Sequence, residues 1–261
     1  MKLAISNIAW DKQDNEQVYQ LMQKYGFTGL EIAPTKIFDN FLNANQQEKK
    51  DFLDNLDKYN IKPIAMQSLL FGKPELKLFD KEGNGQLFDY LVNLIDFGSD
   101  LGIKSLIFGS PKNRIYEGIL KEEAMDIATD FFRKIGDYAN KKGVYICIEP
   151  NPEIYGGNFM CNTRETLDFV KGINNPGIKL HLDLGTIIAN NEDLIIINEV
   201  KNNITHFHIS EPYLEVIADR KEHRKVVKLL QGYDGYCSIE MKGTSIENIE
   251  KALILVSNIY G

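Results

Sequence analysis

Apolar positions along this chain fall into two alternating patterns. Short apolar runs of strand character alternate with longer stretches whose apolar residues recur every three or four positions, the spacing of an amphipathic helix. The strand-like runs are KLAIS, TGLEIAP, KPIAMQS, KSLIFGS, VYICIEP, IKLHLDLG, ITHFHIS and YCSIEMK. The helical pattern is read in NEQVYQLMQKYG, NQQEKKDFLDNLDKYN, GQLFDYLVNLIDFGSDLG, EEAMDIATDFFRKIGDYANKKG, the segment opened by Asn162 and Thr163, NEDLIIINEVKNN, DRKEHRKVVKLLQGY and SIENIEKALILVSNI. Gly26 is placed to close the first helix as its C-terminal cap, and Asn162-Thr163 is a capping signal for the fifth. Strict alternation requires a parallel sheet covered by helices. Eight strand–helix units in 261 residues predict a single (β/α)8 TIM barrel, one α/β domain over residues 1–261. The competing arrangement is an open doubly wound sheet. Its glycine-rich turn after the first strand is missing, because SNIAW follows there.

Composition narrows the function classes. The net charge of −7 argues against general affinity for nucleic acid or an anionic membrane, since phosphates reward basic surfaces. The pairs Lys49-Lys50 and Lys141-Lys142 read as solvated helix faces. Three cysteines, Cys147, Cys161 and Cys237, make no disulfide framework. Cys147 and Cys237 lie in apolar runs and read as small buried hydrophobes. No signal-peptide pattern precedes KLAIS, and no apolar stretch approaches membrane-spanning length. The expected location is cytoplasmic.

In a barrel of this kind the active site lies at the C-terminal ends of the strands. Glu149 ends the fifth strand, Asp183 the sixth and Glu240 the eighth, while the seventh offers His208. A single acid after a strand is ordinarily a helix cap or a loop contact. Four such groups at matching depths on consecutive strands are another matter. Three carboxylates and an imidazole converging on one point repel each other and lose hydration, and one divalent cation removes both problems. An oxygen-rich set with one nitrogen suits Mn²⁺, Mg²⁺ or Co²⁺, with Zn²⁺ also open. His181 and His206 are assigned to the opposite strand face and to structural roles.

The set Glu149, Asp183, His208 and Glu240 resembles the metal quartet of the xylose isomerase-like TIM barrels, especially their sugar-phosphate isomerase and epimerase branch. FGSPKNR, IEPNP, HISEP and SIEMK also resemble segments of that superfamily, and the resemblance spans all eight units. It implies a mechanism. The glutamates matching Glu149 and Glu240 bind the metal and also move protons, one taking the proton beside a sugar carbonyl and the other returning one. The intermediate is an enediolate, whose charge must be stabilised electrostatically. The resemblance alone also implies a homodimer. Two positions depart from the family pattern. Thr186 stands where a substrate-contacting histidine is usual, and after Glu211 no arginine occurs before Arg220. These departures point away from a standard free-ketose epimerase.

Other groups near the strand ends are candidates for substrate binding. Lys112 and Arg114 follow the fourth strand, and Lys242 follows Glu240 by two residues. Together they are expected to hold a phosphate or carboxylate, so the expected substrate is an acidic or phosphorylated sugar. Glu31 and Gln67 end the second and third strands, within reach of hydroxyls. Trp10 is placed either to stack on a sugar face or to pack in the core or rim. Asn151 and Tyr155 lie in the loop PNPEIYGG, which is expected to cover substrate.

Three other activities compete with the isomerase or epimerase. A dehydratase acting on a keto-cyclitol or keto-acid shares the proton-abstraction step. An endonuclease of the AP-site type is disfavoured by the absence of histidines at the second, third and fourth strand ends, and by the acidic chain. A non-enzymatic sugar-binding barrel has no need of two bases beside a metal.

Overall fold

Eight parallel strands pair in sequence order and close into a ring: β1 (Lys2–Ser6), β2 (Phe27–Ile32), β3 (Lys62–Met66), β4 (Ser105–Phe108), β5 (Tyr145–Ile148), β6 (Ile178–Asp183), β7 (Ile204–Ser210) and β8 (Tyr236–Glu240). Closure comes from β8 pairing back on β1. The structure is a computed structural model and describes residues 1–261. Each strand is covered by the helix that follows it: α1 (Asn15–Lys24), α2 (Gln46–Asp57), α3 (Lys81–Asp100), α4 (Lys121–Lys141) and α5 (Thr163–Ile173) after the first five strands. The sixth connection holds α6 (Leu184–Ala189) and α7 (Ile197–Val200), and α8 (Lys221–Leu229) and α9 (Ile246–Tyr260) complete the outer layer. This is the (β/α)8 barrel the alternation predicted. No helix is long and apolar enough to cross a membrane.

The local signals act as expected at two helix ends. Gly26, just past α1, takes a left-handed φ of +80°. Asn162 caps α5 by accepting from the Glu165 amide at 2.8 Å. The sixth connection differs from the single helix read in NEDLIIINEVKNN. Here α6 begins directly after Asp183, whose side chain caps it by accepting from the amides of Gly185 and Thr186. Asn191, at φ +53°, then turns the chain, and a 3-10 turn at Leu194–Ile196 leads into the short α7. A residue read as a metal ligand thus also starts a helix, and that shifts the helix toward the strand.

The apolar core lies between the sheet and the helices. Phe207, for example, points outward from β7 and meets Tyr260 of α9. The inside of the ring is unusually polar. Near its lower end the Thr205 hydroxyl lies 3.1 Å from the Ser105 hydroxyl and 3.2 Å from the Cys147 sulfur. A bulge in β7 brings Thr205 inward: Leu180 pairs with Ile204, but Leu182 pairs with Phe207, so β7 carries an extra residue there. Cys147 and Cys237 are buried, as expected, and burial pushes their thiols up to about 11 and about 12.

Candidate active site

The register of β6, β7 and β8 sets the upper level of the ring. Asp183 pairs with His208, and Ser210 with Glu240. Glu149 stands one residue past β5, and its amide donates to the Phe108 carbonyl at 3.1 Å, prolonging the ladder with β4. Glu149, Asp183, His208 and Glu240 each bring one ligand atom to within 4.8 Å of the others. The four residues read from the sequence therefore meet at one point.

Each is held from behind. Asn151 donates through Nδ2 to Glu149 Oε2 at 3.0 Å. The other face of that carboxylate rests on Gly109, where a Cβ would lie only 2.3 Å from Oε2, so no other residue fits without moving the acid. Asp183 Oδ1 accepts from the Gly185 amide at 2.7 Å and from the Ser210 hydroxyl. Nδ1 of His208 lies 3.3 Å from Glu149 Oε1 and 3.1 Å from Glu240 Oε2. Neither oxygen is aligned for a hydrogen bond, so Nδ1 is a buried nitrogen without a partner.

The charge balance is one-sided. Burial pushes the Glu240 carboxyl up to about 7, and burial together with Glu149 pushes Asp183 up to about 6. Burial alone would lower the His208 pKa, but the Glu240 and Glu31 carboxylates hold it well above the ordinary imidazole value. Three acids around one unpartnered imidazole nitrogen form a donor set of three oxygens and one nitrogen that fits a divalent metal ion. Glu149, Asp183, Glu240 and His208 through Nδ1 would hold it.

A second group of titratable side chains forms the floor beneath. Glu31 is wholly buried, with His208 Nε2 at 3.0 Å from both its oxygens and His206 Nε2 at 3.3 Å from Oε2. The two histidines hold its carboxyl well below the usual range, against the effect of burial. His181 packs edge-on against His208, with ring centroids 4.0 Å apart, and its Nε2 lies 3.6 Å from Glu149 Oε1. This corrects the sequence assignment of His181 and His206 to the opposite strand face. Strand side chains repeat every two residues, so His181 shares a face with Asp183, and His206 with His208. That spacing was the available signal.

Above the quartet opens a cavity of about 310 Å³. Gln67, Asn151, Tyr155 and Glu211 line it, as expected, together with Ser68 and the apolar rim residues Phe71 and Leu214. Gln67 donates to the Ser6 hydroxyl. Glu211 accepts from Arg220 Nε at 2.6 Å and from the Ala218 amide at 3.2 Å, so the loop carries the distant arginine back to it. Thr186 turns away from the cavity and donates to the Pro150 carbonyl at 2.8 Å. Over the rim, Tyr213 and Leu214 hold left-handed φ of +61° and +53°. This turn is fixed by the Tyr213 amide donating to the Tyr155 hydroxyl at 2.8 Å and by the Lys242 amide donating to the Leu214 carbonyl at 2.8 Å.

The cationic cluster expected for an anionic substrate does not form. The Lys242 ammonium pairs with Glu215 at the surface, and Lys112 is exposed outside the cavity lining. Arg114 is buried, and its Nη2 donates to the Glu149 carbonyl at 2.6 Å and to Asn151 Oδ1 at 2.8 Å. It braces the strand end that carries Glu149 and does not line the cavity. Of the two places open to Trp10, sugar stacking or packing, the structure takes packing. Its indole is buried and donates to Asn15 Oδ1 at 2.8 Å at the start of α1, which makes it a packing residue.

Among curated proteins, no sequence matches the chain. Solved structures match it over nearly all of its length. D-psicose 3-epimerase from Clostridium cellulolyticum H10, solved with D-tagatose, is 16% identical with a TM-score of 0.81, covering 100% of this chain and 99% of that one. The 3-keto-D-glucoside 4-epimerase of E. coli is 12% identical with a TM-score of 0.79, covering 99% and 98%. The IOLI protein, solved with a zinc atom, is 19% identical with a TM-score of 0.73, covering 99% and 96%. At these identities the likeness speaks for the fold. The family model described as xylose isomerase-like TIM barrel matches residues 19–256. The chain therefore belongs to the xylose isomerase-like TIM barrel family.

Proposed function

We infer that this protein is a metal-dependent sugar epimerase or aldose–ketose isomerase acting by proton transfer through an enediolate. One observation carries the reading: Glu149 and Glu240 bring carboxylate oxygens to 3.3 Å and 3.1 Å of the same His208 nitrogen from strands separated by β6 and β7. Two bases thus reach one point from different sides of a cavity, the layout needed to take a proton from one face of a carbon and return it to the other. Glu149, Asp183, His208 and Glu240 would hold a divalent cation, which when bound would stabilise negative charge developing on the substrate oxygens. Glu149, anchored by Asn151 and Arg114, is the rigid partner. Glu240, with its carboxyl near neutral pH, is suited to hold and release a proton. Gln67 and Asn151 offer neutral hydrogen-bonding groups to hydroxyls.

The substrate we propose is an uncharged sugar. No lysine or arginine lines the cavity, while Glu149, Asp183, Glu211 and Glu240 do. A phosphate or carboxylate would meet acids there with no lysine or arginine to receive it. This replaces the acidic or phosphorylated sugar expected from Lys112, Arg114 and Lys242. The test is solvent exchange: the protein with Mn²⁺ in D₂O, offered a panel of free ketoses, their phosphates and a keto-cyclitol and followed by NMR. Deuterium entering beside the carbonyl of free sugars supports the reading. Exchange confined to the phosphates overturns the substrate class. Loss of water from a keto-cyclitol without epimerised product would favour the dehydratase.

A further inference from the structure

We propose that Glu31 is a positioning residue that fixes which ring nitrogen of His208 is offered to the metal. The inference rests on the metal reading above, but it concerns a residue outside the quartet. His208 is fully buried and has polar groups on both sides. On the floor side, Nε2 faces both oxygens of Glu31 at 3.0 Å. On the cavity side, Nδ1 faces Glu149 and Glu240 and has no hydrogen-bond partner. A carboxylate accepts hydrogen bonds and cannot donate them. Glu31 therefore requires a proton on Nε2, which leaves Nδ1, facing the acids, as the nitrogen that gives up its proton to a metal. A ring held in that way is also a more basic ligand, because the buried anion behind it stabilises positive charge on the imidazole.

The surroundings keep Glu31 in this state. His206 Nε2 approaches Oε2 of Glu31 at 3.3 Å from the side, so the carboxylate is shared by two imidazoles and has no lysine or arginine among its ion-pair partners. No solvent reaches it. Glutamine at this position would keep the volume but lose the charge. In either orientation its NH₂ would replace an oxygen that now faces His208 Nε2, and so would meet that ring as a competing donor.

The experiment uses the full chain, labelled with ¹⁵N-histidine and loaded with Zn²⁺. With four histidines in the sequence, the long-range ¹H–¹⁵N imidazole spectrum is assignable. The expected spectrum shows His208 with the metal on Nδ1 and the proton on Nε2. In parallel, Zn²⁺ and Mn²⁺ affinity is measured by chelator competition for the wild type and Glu31→Gln. The expected loss in the variant is about 10- to 100-fold, with its circular dichroism unchanged. Metal on Nε2 in the wild type overturns the inference, and so does a Glu31→Gln protein that binds both ions as tightly as the wild type. Should the variant fail to fold, the wild-type spectrum decides alone. A wild type that binds neither ion defeats the metal reading itself, and this role of Glu31 with it.

Discussion

Glu31 and Glu240 are both buried glutamates in contact with the same histidine, yet their surroundings drive them in opposite directions. On the floor, Glu31 meets two imidazoles, and its carboxyl is held well below the ordinary range. At the mouth, burial leaves Glu240 protonating at about 7, with Glu149 and Asp183 adding further negative charge nearby. The floor balances its own charge. The mouth gathers three acids around one nitrogen, an arrangement characteristic of binding and catalytic sites. On the proposed function, the floor is the scaffold and the mouth carries the chemistry.

Neutralising the two proposed bases is expected to have the largest effect. Glu149→Gln and Glu240→Gln should each lower solvent exchange of the substrate by about 10²–10⁴-fold while leaving the fold intact, as circular dichroism would report. Exchange near the wild-type rate in either variant would remove that residue from proton transfer. Next in size is Gly109→Ala. Its new methyl would lie 2.3 Å from Glu149 Oε2, so the carboxylate must move. A displacement of that order is expected to cost about 10²-fold in kcat/KM, with little change in thermal stability.

The pH response sharpens the comparison further. Folded-state values above the usual range mean that Glu240 and Asp183 bind more protons folded than unfolded, so stability falls as pH rises through about 6 to 7. His208, raised above its ordinary value, acts in the same direction, its contribution being lost as pH rises through the folded pKa. Glu31, lowered far below its ordinary value, contributes no change in this window. The metal-free protein should therefore melt at a lower temperature at pH 8 than at pH 6. The stabilisation from added Mn²⁺ should grow over the same range, because fewer protons must be displaced. Scanning calorimetry at both pH values checks this, and a metal-free protein that gains stability with pH contradicts it.

The smaller effects concern the cations. Arg114→Ala removes two buried hydrogen bonds beneath Glu149 and should cost about 3 kcal/mol in chemical denaturation. Lys112→Ala and Lys242→Ala, which alter groups outside the cavity lining, should change kcat/KM by less than about twofold. A large rise in KM from either lysine variant would restore the anionic substrate.

The eight-strand ring and the quartet were legible in the sequence for one reason. A parallel strand buried on both faces reads as an apolar run, so a carboxylate at its end stands out. The pairing of His208 with Glu31 was not legible, since the two lie 177 residues apart. The floor was misread through parity: His181 and His206 are two residues from recognised ligands and so share their face. The cations misled for a different reason. Sequence proximity to a strand end does not say whether a long side chain enters the cavity, runs beneath it as Arg114 does, or leaves for the surface as Lys242 does. Trp10 stayed open between stacking and packing because its burial against α1 depends on contacts that no local pattern encodes.

The central claim is that Glu149, Asp183, His208 and Glu240 hold a divalent cation. Elemental analysis tests it most directly, on protein purified without chelator or a metal-binding tag and dialysed against Mn²⁺, beside Asp183→Asn. The account predicts about one ion per chain in the wild type and little in the variant. A wild type that retains no metal, with no thermal stabilisation by Mn²⁺, Co²⁺ or Zn²⁺, would contradict it.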